Sequence, residues 1–479
     1  MRFLYLFCLL LLLSCSLNQK GRTPSSIKND HLKIGVVGDL EGNYDLLEDF
    51  INQGDTLYFE NSQVQLREDA RFIFLGDATD RGPGSMRILD TLNDLKKRYP
   101  DRVTLLVGNR EINKLKILSY IFNAKTKKVP SIVIPWYKKI IKEDIGLDID
   151  DFTYEEFQSF VTPIDNDVIR LKAFLAGMNA AEAFGHRRRE LEEFNPGKTF
   201  SDKDVYLSFL DDFGPNGRMR VYLENAEIGA IYDGNIFVHG AITSENFGHI
   251  PKQELREFDT SKWVLKLNNW LNNEVNAWFE GDYNRNDLFD YHAPAYGKKT
   301  NPKSVIYGRF SSDSGNPKAP SNNLIKKLRQ DGIHRIVVGH TPTGDYPIIL
   351  RKNEFEVLLA DSSYSTIRGA PRIIIENENV LVETYMPNGK LLKINSTPLD
   401  HSNPLGVVTA DNARVIGKIE DSNDYLVMKI KKKSNQFSTH YERVNVKELS
   451  AKVKKENNGC FYLLSLFNRF RTSIYNEGF

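Results

Sequence analysis

The chain has 479 residues, 41% of them hydrophobic and 27% charged, with a formal net charge of +1. That length calls for a large core domain with attachments, and the composition is that of an ordinary globular protein. The near-neutral charge argues against a domain built to neutralise phosphate backbones, so no nucleic-acid partner is expected.

The chain opens with "MRFLYLFCLLLLLSC": one arginine, about eleven apolar residues, then Ser14 and Cys15. A bilayer's hydrocarbon core needs about 20 residues, so this run fits the apolar region of a secretory signal rather than a spanning helix. Its ending resembles the lipobox of bacterial lipoproteins. Residues 1–15 are then a lipoprotein-type signal, Cys15 the lipidated anchor and residues 16–31 a polar tether. The expected location is extracytoplasmic, with the membrane engaged through the N-terminal lipid; the alternative is a plain cleaved signal and a secreted protein. Of the three cysteines only Cys460 would remain as a thiol, so disulfides are not expected.

From Lys33 a strand, a loop and a helix recur. "KIGVVGD" precedes the amphipathic "YDLLEDFIN"; "RFIFLGD" precedes "SMRILDTLNDLKKRY"; "RVTLLVGN" runs into "EINKLKILSYIF". Short apolar strands alternating with helices indicate an α/β layer arrangement. Each strand ends in Gly-Asp or Gly-Asn, which places polar side chains at one sheet edge, where open α/β sheets bind ligands. A helical, charged stretch follows, with "HRRRELEEF" read as a solvated helix whose Arg188 and Arg189 pair with glutamates four residues on. Strand-like runs return in "GNIFVHGA", "HRIVVGHTP" and "FEVLLADSSYS". From about Leu399 the alternation of apolar and polar residues predicts a small antiparallel sheet. The apolar tail "CFYLLSLFNRF" closes it, docking on the protein's own core or serving as an amphipathic contact helix.

The strand ends collect Asp39, Glu41, Asp77, Asn109, His239 and His340. Carboxylates, an amide oxygen and imidazoles around a shared aspartate suit a pair of divalent ions about 3.5–4 Å apart that activate water for in-line attack on phosphorus. The blocks "GDLEGN", "GDATDRG", "GNRE", "VHGA" and "VVGHTP" resemble the five motifs of the calcineurin-like metallophosphoesterases, and within them the phosphoprotein-phosphatase branch. The resemblance covers about Lys33 to Met386, excluding the insertion. It implies two mixed β-sheets flanked by helices, with metals at one sheet edge, within a domain over 32–398. That domain carries a helical insertion at about 120–231 and is followed by a β-rich accessory module over 399–479. The insertion either caps the metal edge and selects substrates or decorates the surface elsewhere. By resemblance, Asp39 and Asp77 serve the first metal, Asp77 bridges, and Asp77, Asn109, His239 and His340 serve the second. Arg81, next to Asp80, would hold phosphate oxygens, and Arg309 in "SVIYGRFSS" is the candidate for a further phosphate-binding arginine.

Two positions depart from the family pattern. Glu41 stands where histidine is usual. As a ligand it would make the first site all-carboxylate, favouring Mn²⁺, with Mg²⁺ or iron next, over Zn²⁺; otherwise it points away and that site is weak or empty. Arg110 stands where the family has a histidine, paired with the counterpart of Asp80, that protonates the leaving group. Arginine cannot give up that proton. The expected enzyme is therefore a metal-dependent phosphatase of phosphorylated protein or small aryl phosphates, with phosphotyrosine favoured over phosphoserine. The alternatives are a dinucleoside polyphosphate hydrolase, a pseudophosphatase acting as a binding protein, or an adhesin working through the C-terminal module.

Overall fold

The computed structural model describes residues 32–118, 129, 134–163, 165–283, 287–295, 300–312, 315–363, 365, 367, 369–400, 403–409, 412–433 and 436–452. Cys15, the tether and the apolar tail with Cys460 lie outside them. Among the described residues no helix is long and apolar enough to cross a membrane.

The strands are β1 (Lys33–Val37), β2 (Leu57–Glu60), β3 (Gln63–Leu66), β4 (Ala70–Phe74), β5 (Val103–Leu105), β6 (Gly229–Tyr232), β7 (Asn235–Val238) and β8 (Arg335–Val338). They continue with β9 (Ile348–Lys352), β10 (Phe355–Leu359), β11 (Arg372–Glu376), β12 (Asn379–Tyr385), β13 (Leu391–Ser396), β14 (Arg414–Ile419), β15 (Asp424–Lys433) and β16 (Gln436–Asn445). The helices begin with α1 (Tyr44–Gln53), α2 (Ser85–Arg98), α3 (Asn109–Lys114), α4 (Ile134–Ile145), α5 (Tyr154–Val161), α6 (Asp167–Gly177) and α7 (Ala183–Phe194). After them come α8 (Asp202–Asp211), α9 (Arg218–Asn225), α10 (Thr260–Phe279), α11 (Asp287–His292), α12 (Asn322–Gln330) and α13 (Val446–Lys452).

Two large sheets form, one ordered β16-β15-β14-β13-β12-β11-β1-β4-β5 and the other β6-β7-β8-β10-β9, beside a small β2-β3 hairpin. β1, β4 and β5 run parallel, as do β7, β8 and β10. Such strands need crossovers, which α1 and α2 supply in the first sheet and α10–α12 supply between β7 and β8. The period of two sorts the apolar side chains. Ile34, Val36 and Ile73 meet Phe237, Val337 and Leu358 in a core between the sheets, while Val37, Phe72 and Phe74 face the helices. The result is the α/β double-sheet sandwich the sequence predicts.

The helical stretch is divided. Tyr137, Ile141, Phe157, Val161 and Ala173 close a small core of their own, whereas Leu175, Ala180, Phe184 and Phe209 join the main one. Helix α7, read from sequence as a solvated helix, buries Arg187 and Glu190. Arg187 pairs with Asp212 at 2.6 Å, Arg188 pairs with Asp202, and the Glu190 carboxylate accepts from the Met86 and Arg87 N–H groups that open α2. The C-terminal strands likewise are not set apart: β14 pairs with β13 and extends the same sheet as β1.

At the sheet end opposite the strand termini gathered by the motifs, Arg335 is fully buried. It donates to Glu356 Oε2 at 2.7 and 3.0 Å and to Asn235 Oδ1 at 2.7 Å, joining the first residues of β7 and β8 to β10. Arg351 adds an ion pair to Glu356 Oε1 at 2.9 Å. Removing one member leaves buried charge unpaired, so Glu356→Ala is expected to cost about 3–5 kcal/mol of stability, read from urea unfolding.

Candidate metal centre

The motif residues leave parallel strands at one edge. Asp39 follows β1, Asp77 follows β4, Asn109 opens α3 after β5, His239 follows β7 and His340 follows β8. The chain turns sharply there, with φ of 45° at Glu41, 58° at Asp77, 119° at Asp80 and 58° at His340. Side-chain-bearing residues seldom hold such angles, and their concentration at one edge marks a site whose surroundings impose them.

Among the described residues, ligand atoms of Asp77, His239 and His340 lie within 4.8 Å of one another, and all three side chains are buried. His239 Nδ1 lies 2.8 Å from the Leu75 carbonyl, which makes Nδ1 the protonated nitrogen and turns Nε2 inward. Nε2 lies 3.2 Å from Asn109 Oδ1 and 3.5 Å from Asp77 Oδ1. His340 Nε2 is buried with no hydrogen-bond partner. Its backbone N–H donates to both Asp39 oxygens at 3.0 and 3.1 Å, and Gly339 permits this because a Cβ there would collide with Asp39 Oδ1. Oxygen and nitrogen lone pairs converging in a buried space fit a divalent cation.

The electrostatics agree. Burial, then the charges of Asp361, Asp77 and Glu41, push the Asp39 carboxyl well above its usual range. Burial acts the same way on Asp77, but the charge and hydrogen bond of His239 outweigh it and hold that carboxyl below normal. Burial, then Arg309 and His239, keep His340 neutral, the form that ligates.

Beside this group sits a second one. Arg110 Nε and Nη2 both lie 2.9 Å from Glu41 Oε1, and Nη1 lies 3.2 Å from Asp80 Oδ2. Arg81 Nη1 lies 2.9 Å from Glu41 Oε2. Burial raises the Glu41 carboxyl to about 7 despite these arginines. Burial works against the Arg110 charge, but Asp80, Glu41 and Asp77 more than offset it, so its pKa rises further. Arg110 Nη1 also reaches the Met178 carbonyl at 3.3 Å, so the helical insertion touches the site where α6 ends. Arg309 Nη1 donates to the His340 carbonyl at 2.9 Å, behind the Tyr307 ring that packs 4.8 Å from the His340 ring.

Three residues here have no role in the sequence reading. Lys114 pairs with Asp80 and donates to Thr79. Asp361 is buried after β10, where the run "FEVLLADSS" repeats the apolar-strand-to-aspartate pattern of the motifs. Glu111, the last letter of "GNRE", accepts from the N–H groups of Gly108, Asp77 and Ala78 at 2.8, 3.0 and 2.7 Å. It thereby sets the turn that aims Asp77. Glu111→Ala strands three buried donors at about 1–3 kcal/mol each, and should lose at least about 3 kcal/mol by denaturant unfolding.

A model of the family described as calcineurin-like phosphoesterase matches residues 32–344, well over half of the chain. Over 90 residues the chain is 38% identical to a protein phosphatase 2A catalytic subunit of Dictyostelium discoideum, covering 19% of this chain and 25% of that one. Over 78 residues it is 40% identical to a putative serine/threonine-protein phosphatase of Schizosaccharomyces pombe, covering 16% and 22%. The chain thus spans a quarter or less of the length of these relatives. Among solved structures it is similar to a cold-active protein-tyrosine phosphatase of a psychrophilic Shewanella species, with a TM-score of 0.42, 16% identity, and 76% and 80% of the two chains covered. With the motif residues gathered at one sheet edge and the family model running through all five motifs, the chain belongs to the calcineurin-like phosphoesterases.

Proposed function

We propose that the protein is a metal-dependent phosphatase hydrolysing phosphate monoesters of protein or small aryl substrates, with phosphotyrosine favoured over phosphoserine. The observation carrying this reading is the convergence of Asp77 Oδ1, Asn109 Oδ1 and the inward Nε2 of His239 beside the partnerless Nε2 of His340. Asp39 and Asp77 would hold one divalent ion, and Asp77, Asn109, His239 and His340 the other, with manganese favoured over magnesium, iron or zinc. When bound, such ions supply Lewis-acid charge at the phosphoryl oxygens and make water nucleophilic near neutral pH. Arg81, partly exposed beside the buried group, would take the phosphate oxygens in the planar, charge-assisted manner of arginine.

The substrate preference rests on Arg110. Its guanidinium is engaged by Glu41, Asp80 and the Met178 carbonyl, and its raised pKa leaves no proton to give. A leaving group must then depart without help from this position, which favours a phenol over an alkyl alcohol.

We assign the mature protein to the extracytoplasmic side of a membrane, held through a lipid on Cys15, on the strength of the short apolar run and the Leu-Leu-Ser-Cys ending. Cys15→Ser is expected to move the protein from the membrane to the soluble fraction and to abolish incorporation of labelled fatty acid. Unchanged labelling would overturn the anchor.

The enzymatic reading is tested with the mature domain, stripped of metal and titrated separately with Mn²⁺, Mg²⁺ and Zn²⁺ against p-nitrophenyl phosphate. Turnover should require metal and vanish in Asp77→Asn. A phosphotyrosine peptide should turn over at least about tenfold faster than its phosphoserine counterpart. The reverse order removes the role given to Arg110, a dinucleoside polyphosphate cleaved faster than either peptide selects the anhydride reading, and a folded but inert protein selects a binding role.

A further inference from the structure

The first metal position in the proposed centre has an odd supply of ligands. Glu41 stands there in sequence, yet both of its carboxylate oxygens face guanidinium groups, Oε1 against Arg110 and Oε2 against Arg81. Oε1 accepts from Arg110 and Oε2 lies 2.9 Å from Arg81 without a hydrogen bond, so two cations compete with a metal for this carboxylate.

Asp361 lies on the other side of Asp39. β10 runs parallel to β8 with Leu359 opposite Val338, and Ala360 N–H donates to the Val338 carbonyl at 2.8 Å. Asp361 therefore leaves its strand alongside the Gly339–His340 turn. From the other sheet, Gly38 packs so tightly on the Ala360 carbonyl that a Cβ there would collide with it, and its Cβ position lies 3.5 Å from the Asp361 nitrogen. The residues preceding Asp39 and Asp361 are thus in contact where the two sheets meet, and Asp39 and Ser362 line one small cavity.

The Asp361 side chain is buried and already oriented. The backbone N–H and the hydroxyl of Ser363 both donate to Oδ1, at 3.0 and 2.7 Å, and among the described residues nothing donates to Oδ2. Bonds of this kind to one oxygen are how supporting residues aim a ligating carboxylate. Among the described residues no lysine or arginine lies within ion-pair distance of either Asp39 or Asp361. Besides the His239 ring, 4.0 Å from Asp39 Oδ1, no basic side chain among the described residues balances these two buried carboxylates in contacting turns, a setting that favours an external cation.

We infer that Asp361 is a ligand of the first metal ion, completing an all-carboxylate position with Asp39 and Asp77, and that Glu41 orients Arg81 and Arg110 instead. This rests on the binuclear reading above. The two positions then differ in kind: one offers only carboxylate oxygens, the other two imidazoles with oxygen. The first should take Mn²⁺ or Mg²⁺ and the second should tolerate Zn²⁺.

Equilibrium dialysis of the metal-stripped domain against Mn²⁺, with bound metal counted by mass spectrometry, tests the inference without any assay of turnover. Wild type should bind two ions, Asp361→Asn one, and Glu41→Gln two. The affinity lost at the first position should be about 10- to 100-fold or more. The metal-free Asp361→Asn protein should melt no lower than metal-free wild type, since a repulsive charge has gone, but should gain less on adding Mn²⁺. Asp361→Ser serves as a second variant should the amide disturb folding. Two ions bound by Asp361→Asn at wild-type affinity overturn the inference, and a fall to one ion in Glu41→Gln overturns the role given to Glu41. Wild type that binds no metal at all overturns the binuclear reading itself.

Discussion

The centre of this molecule is governed by one constraint: carboxylates buried away from water must meet positive charge. Transfer of an unpaired ionised group into a protein interior costs several kcal/mol, far more than any single hydrogen bond returns. At the joined sheet edge the chain buries Asp39, Glu41, Asp77, Asp80, Glu111 and Asp361. The cations it supplies are unevenly shared. Arg110 spans Glu41 and Asp80, Lys114 takes the other side of Asp80, and Arg81 takes the other side of Glu41. Asp77 leans on His239, while burial and then Asp361 raise the affinity of Asp39 for protons. A fold that satisfies one half of an acidic cluster so fully and the other half so poorly is built to receive positive charge from outside the chain.

The scaffold explains how such a cluster survives. The motif residues sit on turns at the ends of five short strands, each strand buried on both faces and locked by period-two packing between the sheets and the helices. At the far end of the second sheet the Arg335–Glu356–Asn235 network ties together the strands that lead to His239, His340 and Asp361. From the other direction, the Tyr441 hydroxyl accepts from the Asp345 N–H at 2.7 Å, and its ring packs 5.2 Å from that of Tyr346. Strand β16 therefore braces the loop that follows His340. The C-terminal strands are part of what holds the turn that carries His340.

Much of this was legible in the sequence, and the division follows the range of the interactions. Strands ending in Gly-Asp or Gly-Asn, helices with apolar spacing such as Ser85–Arg98, and the five motifs depend on neighbours along the chain, so a window of residues displays them. What escaped depends on contacts between distant segments. The burial of Arg187 and Glu190 is set by α2 and α8, which no local pattern in "HRRRELEEF" encodes. The fusion of β14 to β13 turns on a pairing choice that alternation alone leaves open. Glu111 escaped because its three partners are backbone N–H groups, two of them more than thirty residues earlier, and backbone groups leave no trace in sequence. Asp361 did carry a signal, an aspartate following a buried strand, but lacked the glycine that made the other strand ends conspicuous.

The two positions that depart from the resembled pattern, Arg110 and Glu41, are coupled in the structure. Glu41 and Arg110 contact each other through two guanidinium nitrogens, so each supplies the counter-charge the other needs in a buried place. An arginine at 110 beside a neutral imidazole at 41 would leave Asp80 and Asp77 to balance it. A glutamate at 41 beside a histidine at 110 would depend on that histidine staying protonated. The pair also draws the Met178 carbonyl of the insertion onto the site, a contact that a shorter imidazole at 110 would not reach through the same atoms. Charge balance and the contact with the insertion are therefore linked at Arg110. A histidine there alone would leave Glu41 with a single arginine and the insertion without its contact.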